Sequence, residues 1–229
     1  MIKHIFFDLD HTIWDFDRNA QETLLELYES YQLQALGLSS AVEFISLYTA
    51  NNHRLWQRYH LGEITKEELR QERFRSTFLE LGILPENVPH AFEEDYVRMG
   101  PMKTHLFEGA IDVLGYLRKK YKLHIISNGF KETTTTKMER SGLNPYFTEI
   151  IISEDVGVNK PHYSIFEYAL NKAGANKHES IMIGDSIEAD IRGAQNFGMQ
   201  AIFFNPLKAD LPDDVKWQIF RLDELLLHF

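Results

Sequence analysis

The feature of this sequence that most constrains its fold is a regular alternation of strand-like and helix-like segments from Glu108 onward. Short apolar runs, rich in β-branched and aromatic residues, predict four strands at Leu123–Ser127, Ile150–Ser153, Ser180–Gly184 and Gln200–Phe204. The segments between these runs have the spacing of apolar residues that is typical of helices. Such alternation indicates βαβ units, which place the strands in a parallel sheet.

A further strand is predicted at the start of the chain, far from the others in sequence. The apolar run Ile5–Phe7 ends at Asp8, whereas residues 16–103 show an almost wholly helical pattern. We therefore predict an α/β protein with a parallel sheet. Its Rossmann-like core would consist of residues 1–15 and 104–229, with a helical cap, residues 16–103, inserted after the first strand.

The composition excludes several classes of function. The formal net charge of −10 argues against non-specific binding to a nucleic acid polymer or to an anionic membrane. Cysteine is absent, so there are no disulfides, thiolate nucleophiles or cysteine-ligated metals. No apolar stretch is long enough to cross a bilayer, and two aspartates interrupt the first apolar segment where a signal peptide would continue. We expect a cytoplasmic protein, and its oligomeric state stays open.

Polar residues follow the predicted strands at four places, and the carboxyl ends of parallel strands share one edge of a sheet. The four clusters are Asp8 with Asp10, Ser127-Asn128-Gly129, Lys160-Pro161, and Gly184-Asp185-Ser186 with Asp190. Each cluster alone also fits a structural role, such as a turn, a helix cap or a solvated surface charge. Together they are the right set of residue types for one chemistry at a shared site.

The motifs DLDHT, ISNG, NKP and GDSIEAD, in this order and with a helical insertion after the first, resemble the haloacid dehalogenase superfamily of phosphohydrolases. Within that superfamily, WDF and the segment LWQRYHLGEITKEELRQERF resemble the bacterial pyrimidine 5′-nucleotidases that act on noncanonical nucleotides. One departure is His11, where many members carry glycine or aspartate. This difference leaves the carboxylate pair intact and bears on the flexibility of the loop.

The resemblance implies a catalytic role for each carboxylate. Asp8 would attack phosphorus to form an aspartyl-phosphate, and the Asp10 side chain would protonate the leaving oxygen and later deprotonate water. A phosphate monoester is a dianion, so its charge has to be neutralised before a carboxylate can approach. Mg²⁺, held by the carboxylates of Asp8 and Asp185 and the backbone carbonyl of Asp10, would do this. Ser186 and Asp190 would orient the metal ligands.

The remaining clusters would bind the phosphoryl group and the rest of the substrate. Ser127 and the amides of Asn128 and Gly129 would donate hydrogen bonds to phosphoryl oxygens, and Lys160 would supply a positive charge. Two aromatic residues, Trp14 and Phe16, lie between the nucleophile and the cap. They would either stack on a nucleobase or anchor the hinge.

Several functions remain open at this point. The dehalogenases of the superfamily carry tyrosine where this chain has Asp10, so the chain resembles a phosphatase. A phosphatase for pyrimidine nucleoside 5′-monophosphates is the preferred prediction, with a sugar-phosphate phosphatase or a phosphomutase as alternatives. A non-enzymatic Mg²⁺-binding signalling domain is a further alternative, although such receiver domains lack a long helical insertion after the first strand.

Overall fold

The computed structural model describes the whole chain, Met1–Phe229, and contains one six-stranded parallel sheet. The strands are β1 (His4–Phe7), β2 (Lys122–Ser127), β3 (Glu149–Ile152), β4 (Ser180–Gly184), β5 (Gln200–Phe204) and β6 (Gln218–Ile219). Their order across the sheet is β3-β2-β1-β4-β5-β6. The predicted Rossmann-like α/β fold is thus confirmed, with a short sixth strand that the sequence pattern does not indicate.

Nine α-helices accompany the sheet. Five lie between β1 and β2: α1 (Phe16–Ser30), α2 (Ala41–His60), α3 (Lys66–Glu80), α4 (Phe92–Met99) and α5 (Ala110–Leu117). Four follow β2: α6 (Lys131–Arg140), α7 (Ser153–Val156), α8 (Tyr163–Ala173) and α9 (Gly193–Phe197), the last preceded by a π-helical segment, Ile187–Arg192. None of these helices combines the length and the apolar character needed to cross a membrane.

The chain divides into two compact units, one made of Met1–Phe16 and Thr104–Phe229 and the other of Asp17–Lys103. The second unit is helical and has its own core, in which Phe44, Phe78 and Phe92 pack together with ring centroids 5.3–6.0 Å apart. Its helix α3 begins with a capping box between Thr65 and Glu68. That this unit acts as a cap stays a prediction.

The sheet of the first unit is buried on both faces. Ile5 and Phe7 point to the face covered by α5 and α6, and Phe6 points to the opposite face, covered by α8 and α9. All three side chains are buried, and each contributes roughly 1.5–3 kcal/mol through the hydrophobic effect. This two-sided burial explains why β1 is a continuous apolar run rather than an alternating one.

The position of β1 in the sheet determines where a site can form. Phe7 pairs with Ile125 of β2 on one side and with Ile183 of β4 on the other. The chain leaves β1 in one direction to build β2 and β3 and in the other to build β4 and β5, so the strand order reverses there. In open α/β sheets the crevice at the carboxyl end of such a strand is the usual ligand site.

Candidate active site

Asp8 lies at this switch point, directly after β1. Its backbone N–H donates to the carbonyl of Ile183 at 2.8 Å, so the residue is fixed by one further hydrogen bond to the neighbouring strand. Its side chain is buried and accepts a 2.6 Å hydrogen bond from Nζ of Lys160 on Oδ1. The structure therefore places the predicted nucleophile and the predicted lysine in direct contact.

Lys160 has a fully buried ammonium group with an acceptor for each of its three protons. Nζ donates to Asp8 Oδ1 at 2.6 Å, to Asp190 Oδ1 at 2.6 Å and to the carbonyl oxygen of Ile126 at 2.7 Å. Burial lowers the pKa of Lys160, but the attraction of Asp190 and Asp8 outweighs burial and raises this pKa above its usual value. The lysine is thus a permanent positive charge, and it holds the two carboxylates in place.

Three carboxylates gather around this lysine. Single oxygen atoms of Asp8, Asp185 and Asp190 lie within 4.8 Å of one another. Burial and then the charge of Asp190 raise the pKa of Asp185 to about 7, and burial raises the pKa of Asp8 well above its usual range. One lysine does not balance three ionised carboxylates, so full ionisation of the cluster requires a further positive charge.

The acidic residues are oriented by their neighbours. Ser186 N–H donates to Asp190 Oδ2 at 3.0 Å, and Thr12 Oγ1 donates to Asp185 Oδ1 at 3.2 Å. Gly184 leaves room for Asp190, because a Cβ at position 184 would lie 2.2 Å from Asp190 Oδ2. The order of residues in the GDSIEAD segment thus has a steric reason as well as a chemical one.

The loop after β2 brings hydrogen-bond donors close to Asp10. Gly129 N–H donates to Ser127 Oγ at 3.0 Å. A Cβ at position 129 would lie 2.6 Å from Thr134 Oγ1, 3.1 Å from Ser127 Oγ and 3.2 Å from Asp10 Oδ2. Three side-chain oxygens therefore surround the Gly129 backbone, and only glycine fits between them. The side chain of Asn128, in contrast, is engaged by the backbone of Lys160.

His11 adopts a backbone conformation that accounts for the departure noted in the sequence. Its φ is 64°, in the left-handed region that favours glycine and, among other residues, asparagine, aspartate and histidine. Glycine or aspartate, which many members of the superfamily carry here, would tolerate the same backbone. The loop keeps this geometry with histidine, and His11 N–H donates to the carbonyl of Trp14 at 2.9 Å.

The two aromatic candidates have different environments. Trp14 is only 2% exposed and belongs to the core of the first unit, whereas Phe16 is half-buried. Their ring centroids are 6.0 Å apart in an edge arrangement. The burial of Trp14 favours the hinge-anchoring alternative for this residue, and contact of either ring with a substrate stays a prediction.

Two residues of α6 belong to the site although the sequence analysis does not single them out. Lys137 is buried, and its Nζ donates to Asp10 Oδ1 at 2.6 Å. Thr134, one turn earlier, has a buried hydroxyl with no hydrogen-bond partner. Their spacing of three residues places both on one helix face, and this spacing after the ISNG motif is the only signal that the sequence carries for them.

Comparison with known proteins identifies the same family that the sequence motifs resemble. A family model described as a haloacid dehalogenase-like hydrolase matches residues 2–198. Pyrimidine 5′-nucleotidase YjjG of Escherichia coli (strain K12) is 34% identical over 224 residues, which cover 96% of this chain and 95% of that protein. A glyceraldehyde 3-phosphate phosphatase of Methanothermobacter thermautotrophicus is 32% identical, with 90% of this chain and 86% of that protein covered.

A solved structure is similar over the whole chain. The putative HAD-hydrolase YfnB from Bacillus subtilis, crystallised with bound magnesium, superposes with a TM-score of 0.88. The sequence identity is 28%, and the match covers 99% of this chain and 98% of that chain.

Proposed function

Because the chain belongs to the haloacid dehalogenase-like hydrolases and is a phosphoric monoester hydrolase, we propose that it hydrolyses pyrimidine nucleoside 5′-monophosphates through an aspartyl-phosphate on Asp8. The observation that carries this proposal is the contact between Asp8 and the buried ammonium of Lys160, at the carboxyl end of the central strand. A carboxylate in this position is held still beside a positive charge that favours its ionised form, and it is placed to attack a phosphoryl group.

The residues of the site fit Mg²⁺. The cluster offers only carboxylate and carbonyl oxygen donors, which Mg²⁺ prefers, and it brings three carboxylates together around one lysine. Asp8 and Asp185 side chains would hold the ion together with the backbone carbonyl of Asp10, while Asp190 is already engaged by Lys160 and Ser186. When bound, Mg²⁺ would neutralise charge on the phosphoryl oxygens. The magnesium in the structure of the YfnB relative supports this assignment.

The protein groups would then share the work of the reaction. Asp8 would attack phosphorus while the donors of the Ser127–Gly129 loop hold the phosphoryl oxygens. Lys160, whose three protons are already engaged, would act through its positive charge. Asp10 would give a proton to the leaving oxygen and later take one from the water that cleaves the aspartyl-phosphate. Asp10 Oδ2 beside the Gly129 backbone supports this role, because that loop also carries the phosphate donors.

The preference for a pyrimidine nucleotide is supported by the relative YjjG, which is named a pyrimidine 5′-nucleotidase, and by the WDF and LWQRYHLGEITKEELRQERF segments. A second candidate substrate is glyceraldehyde 3-phosphate, because a relative of nearly the same identity is named a phosphatase for that compound. Both substrates are phosphate monoesters, so the chemistry at Asp8 would be the same.

The test is a phosphate-release assay over nucleoside monophosphates, glyceraldehyde 3-phosphate, hexose phosphates and p-nitrophenyl phosphate, with and without Mg²⁺. We expect UMP, dUMP or their analogues to have the highest kcat/KM, and chelation of the metal to abolish activity. Asp8→Asn should fold normally and lose turnover by several orders of magnitude, because an amide does not attack phosphorus. A preference for glyceraldehyde 3-phosphate would overturn the nucleotidase assignment, and phosphate release by Asp8→Asn near the wild-type rate would overturn the covalent mechanism.

A further inference from the structure

A second buried lysine, Lys137, lies beside the site. Its side chain is 7% exposed, and its Nζ lies 2.6 Å from Asp10 Oδ1. Lysine is rarely buried unless its charge is paired, because removing an ammonium from water is costly. The interaction with Asp10 is therefore the reason that this ammonium is stable inside the protein.

Aromatic rings fix the ammonium of Lys137 from the other side. Nζ lies 4.4 Å from the centroid of the Trp14 ring and 5.3 Å from that of Phe16. Such cation–π contacts attract a cation to the ring face. Because Trp14 is itself packed in the core, the ammonium group of Lys137 is held at a defined position.

The two aspartates of the DLD motif are thus held by two different lysines. Asp8 is bound by Lys160, which precedes α8, and Asp10 is bound by Lys137 from α6. The bond from Lys137 engages Oδ1 of Asp10, while Oδ2 lies beside Gly129 and the phosphate-binding donors. One oxygen is therefore anchored, and this anchoring determines the direction of the other.

We propose that Lys137 is a positioning residue, which holds the Asp10 carboxylate in the orientation required for proton transfer to and from the substrate oxygens. The assignment rests on the proposed function, since it requires Asp10 to act as general acid and base. Lys137 itself does not touch the reacting atoms in this arrangement. Its effect on the rate depends entirely on Asp10.

This dependence separates a positioning role from a purely structural one. The tested variant is Lys137→Met, which keeps the length and the apolar contact with the rings, and the rescue variant is Lys137→Arg. We expect Lys137→Met to lower kcat/KM for a nucleoside monophosphate about 10- to 100-fold, a part of the gain that general acid–base catalysis supplies. Hydrolysis of p-nitrophenyl phosphate, whose leaving group needs little protonation, should fall less than threefold, roughly. Lys137→Arg should recover part of the loss.

The control is Lys131→Met on the same helix. Nζ of Lys131 is exposed and pairs with Asp155 at 2.5 Å, so this substitution removes a lysine from α6 without touching Asp10. Its kcat/KM should stay within about twofold of the wild type on both substrates. Circular dichroism monitors folding of every variant, and Lys137→Gln replaces Lys137→Met in the comparison if the latter does not fold.

A double-mutant cycle gives the decisive result. In an Asp10→Asn background, where no carboxylate remains to be positioned, Lys137→Met should change kcat/KM by less than about twofold. Equal losses on the two substrates, or the full loss in the Asp10→Asn background, would overturn the positioning role and leave the proposed function intact. A wild-type protein that releases no phosphate from any monoester would overturn the proposed function itself, and with it the role of Lys137.

Discussion

The side chain of Asn128 is hydrogen-bonded to both backbone polar groups of Lys160. Asn128 Oδ1 accepts from the N–H of Lys160 at 2.8 Å, and Nδ2 donates to its carbonyl oxygen at 3.0 Å. Both residues are buried, so water does not replace either bond. The loop after β2 thus fixes the main chain from which the lysine reaches Asp8, and the second motif has a structural role besides the phosphate binding proposed for it.

We therefore expect Asn128→Ala to impair Lys160 without removing it. Two buried backbone groups would lose their partners, at a cost of about 2–3 kcal/mol in the free energy of unfolding. Displacement of the ammonium should lower kcat/KM at least tenfold, roughly, because small misplacements of catalytic groups are costly. Urea unfolding and phosphate release measure the two effects, with Asn171→Ala on the exposed face of α8 as the control. A destabilised variant with unchanged kcat/KM would argue against this clamp.

Gly184 is expected to be intolerant of even one additional methyl group. A Cβ at this position would lie 2.2 Å from Asp190 Oδ2 and 2.6 Å from Asp190 Cβ, so Asp190 would have to leave Lys160. Gly184→Ala should lower the free energy of unfolding by about 1–3 kcal/mol and reduce activity. The matched control is Gly115→Ala within helix α5, because a Cβ at position 115 would meet only the Tyr146 ring, at 4.0 Å. Its free energy of unfolding should rise or stay unchanged.

We expect the hydroxyl of Thr134 to lower the stability of the folded protein. The hydroxyls of Thr133, Thr135 and Thr136 each donate to a carbonyl of the preceding turn, whereas that of Thr134 is buried without a partner. Thr134→Val should therefore raise the free energy of unfolding by about 1 kcal/mol in phosphate-free buffer. Thr135→Val, on the exposed face of α6, should change it by less than about 0.5 kcal/mol.

The same experiment tests whether this hydroxyl belongs to the phosphate site. Inorganic phosphate should raise the melting temperature of the wild type more than that of Thr134→Val, because ligand that binds the native state stabilises it. An equal rise in both proteins would show that the Thr134 hydroxyl does not contact phosphate. A lower stability of Thr134→Val without phosphate would show that the hydroxyl has a partner within the protein.

We expect Trp14 to contribute mainly to the stability of the folded protein. Its indole is 2% exposed and contacts both the core and the ammonium of Lys137. Trp14→Ala should therefore lower the free energy of unfolding by about 3–5 kcal/mol. At a temperature where the variant is folded, kcat/KM for a nucleotide and for a hexose phosphate, whose leaving groups both need protonation, should fall by similar factors. A loss of tenfold or more confined to the nucleotide would instead indicate that the ring stacks on the base. Trp14→Phe, which retains an aromatic face, should be milder on both substrates.

The parts of the site that follow strands were predictable from the sequence, and the parts on a helix were not. Asp8, Ser127 and Asp185 each follow an apolar run, and a parallel sheet brings all such positions to one edge. Lys137 and Thr134 lie within α6, where polar residues are ordinary and nothing in the sequence marks the inward face. Whether they reach the site depends on how α6 packs on the sheet, which is a tertiary property.

Element boundaries show the same division between local and tertiary causes. The bounds of β4 and β5 agree with the sequence prediction, because short apolar runs with glycines nearby define them locally. The two-residue strand β6 was missed, since it pairs with β5 through Phe203 and Phe204 and has too few residues to show a pattern. The segment Ile187–Arg192 is π-helical, with Asp190 aimed at Lys160, and its local sequence reads as an ordinary helix.

The last prediction concerns a buried histidine pair at the opposite end of the same strands. His4 Nδ1 and His124 Nε2 are 3.0 Å apart, so one ring donates its single proton to the other and both are neutral. Burial, followed by the proximity of His4 and Lys122, lowers the pKa of His124 to about 3. Burial and Lys122 also lower the pKa of His4. Protonation of either ring in the folded protein is therefore unfavourable.

This arrangement predicts a loss of stability in mild acid. In the unfolded chain His124 has its usual pKa of about 6.5, so between that pH and about 3 the unfolded state binds more protons than the folded state. The stability contributed by the neutral ring is complete above about pH 6.5 and falls by about 1.4 kcal/mol per pH unit below it, which gives about 2 kcal/mol at pH 5. Urea unfolding at pH 7.5 and pH 5 measures this difference in the wild type, in His124→Gln and in His178→Gln, which replaces an exposed histidine. The pH-dependent loss should be smaller by about 2 kcal/mol in His124→Gln and unchanged in His178→Gln, and an equal loss in all three proteins would exclude the buried pair as its cause.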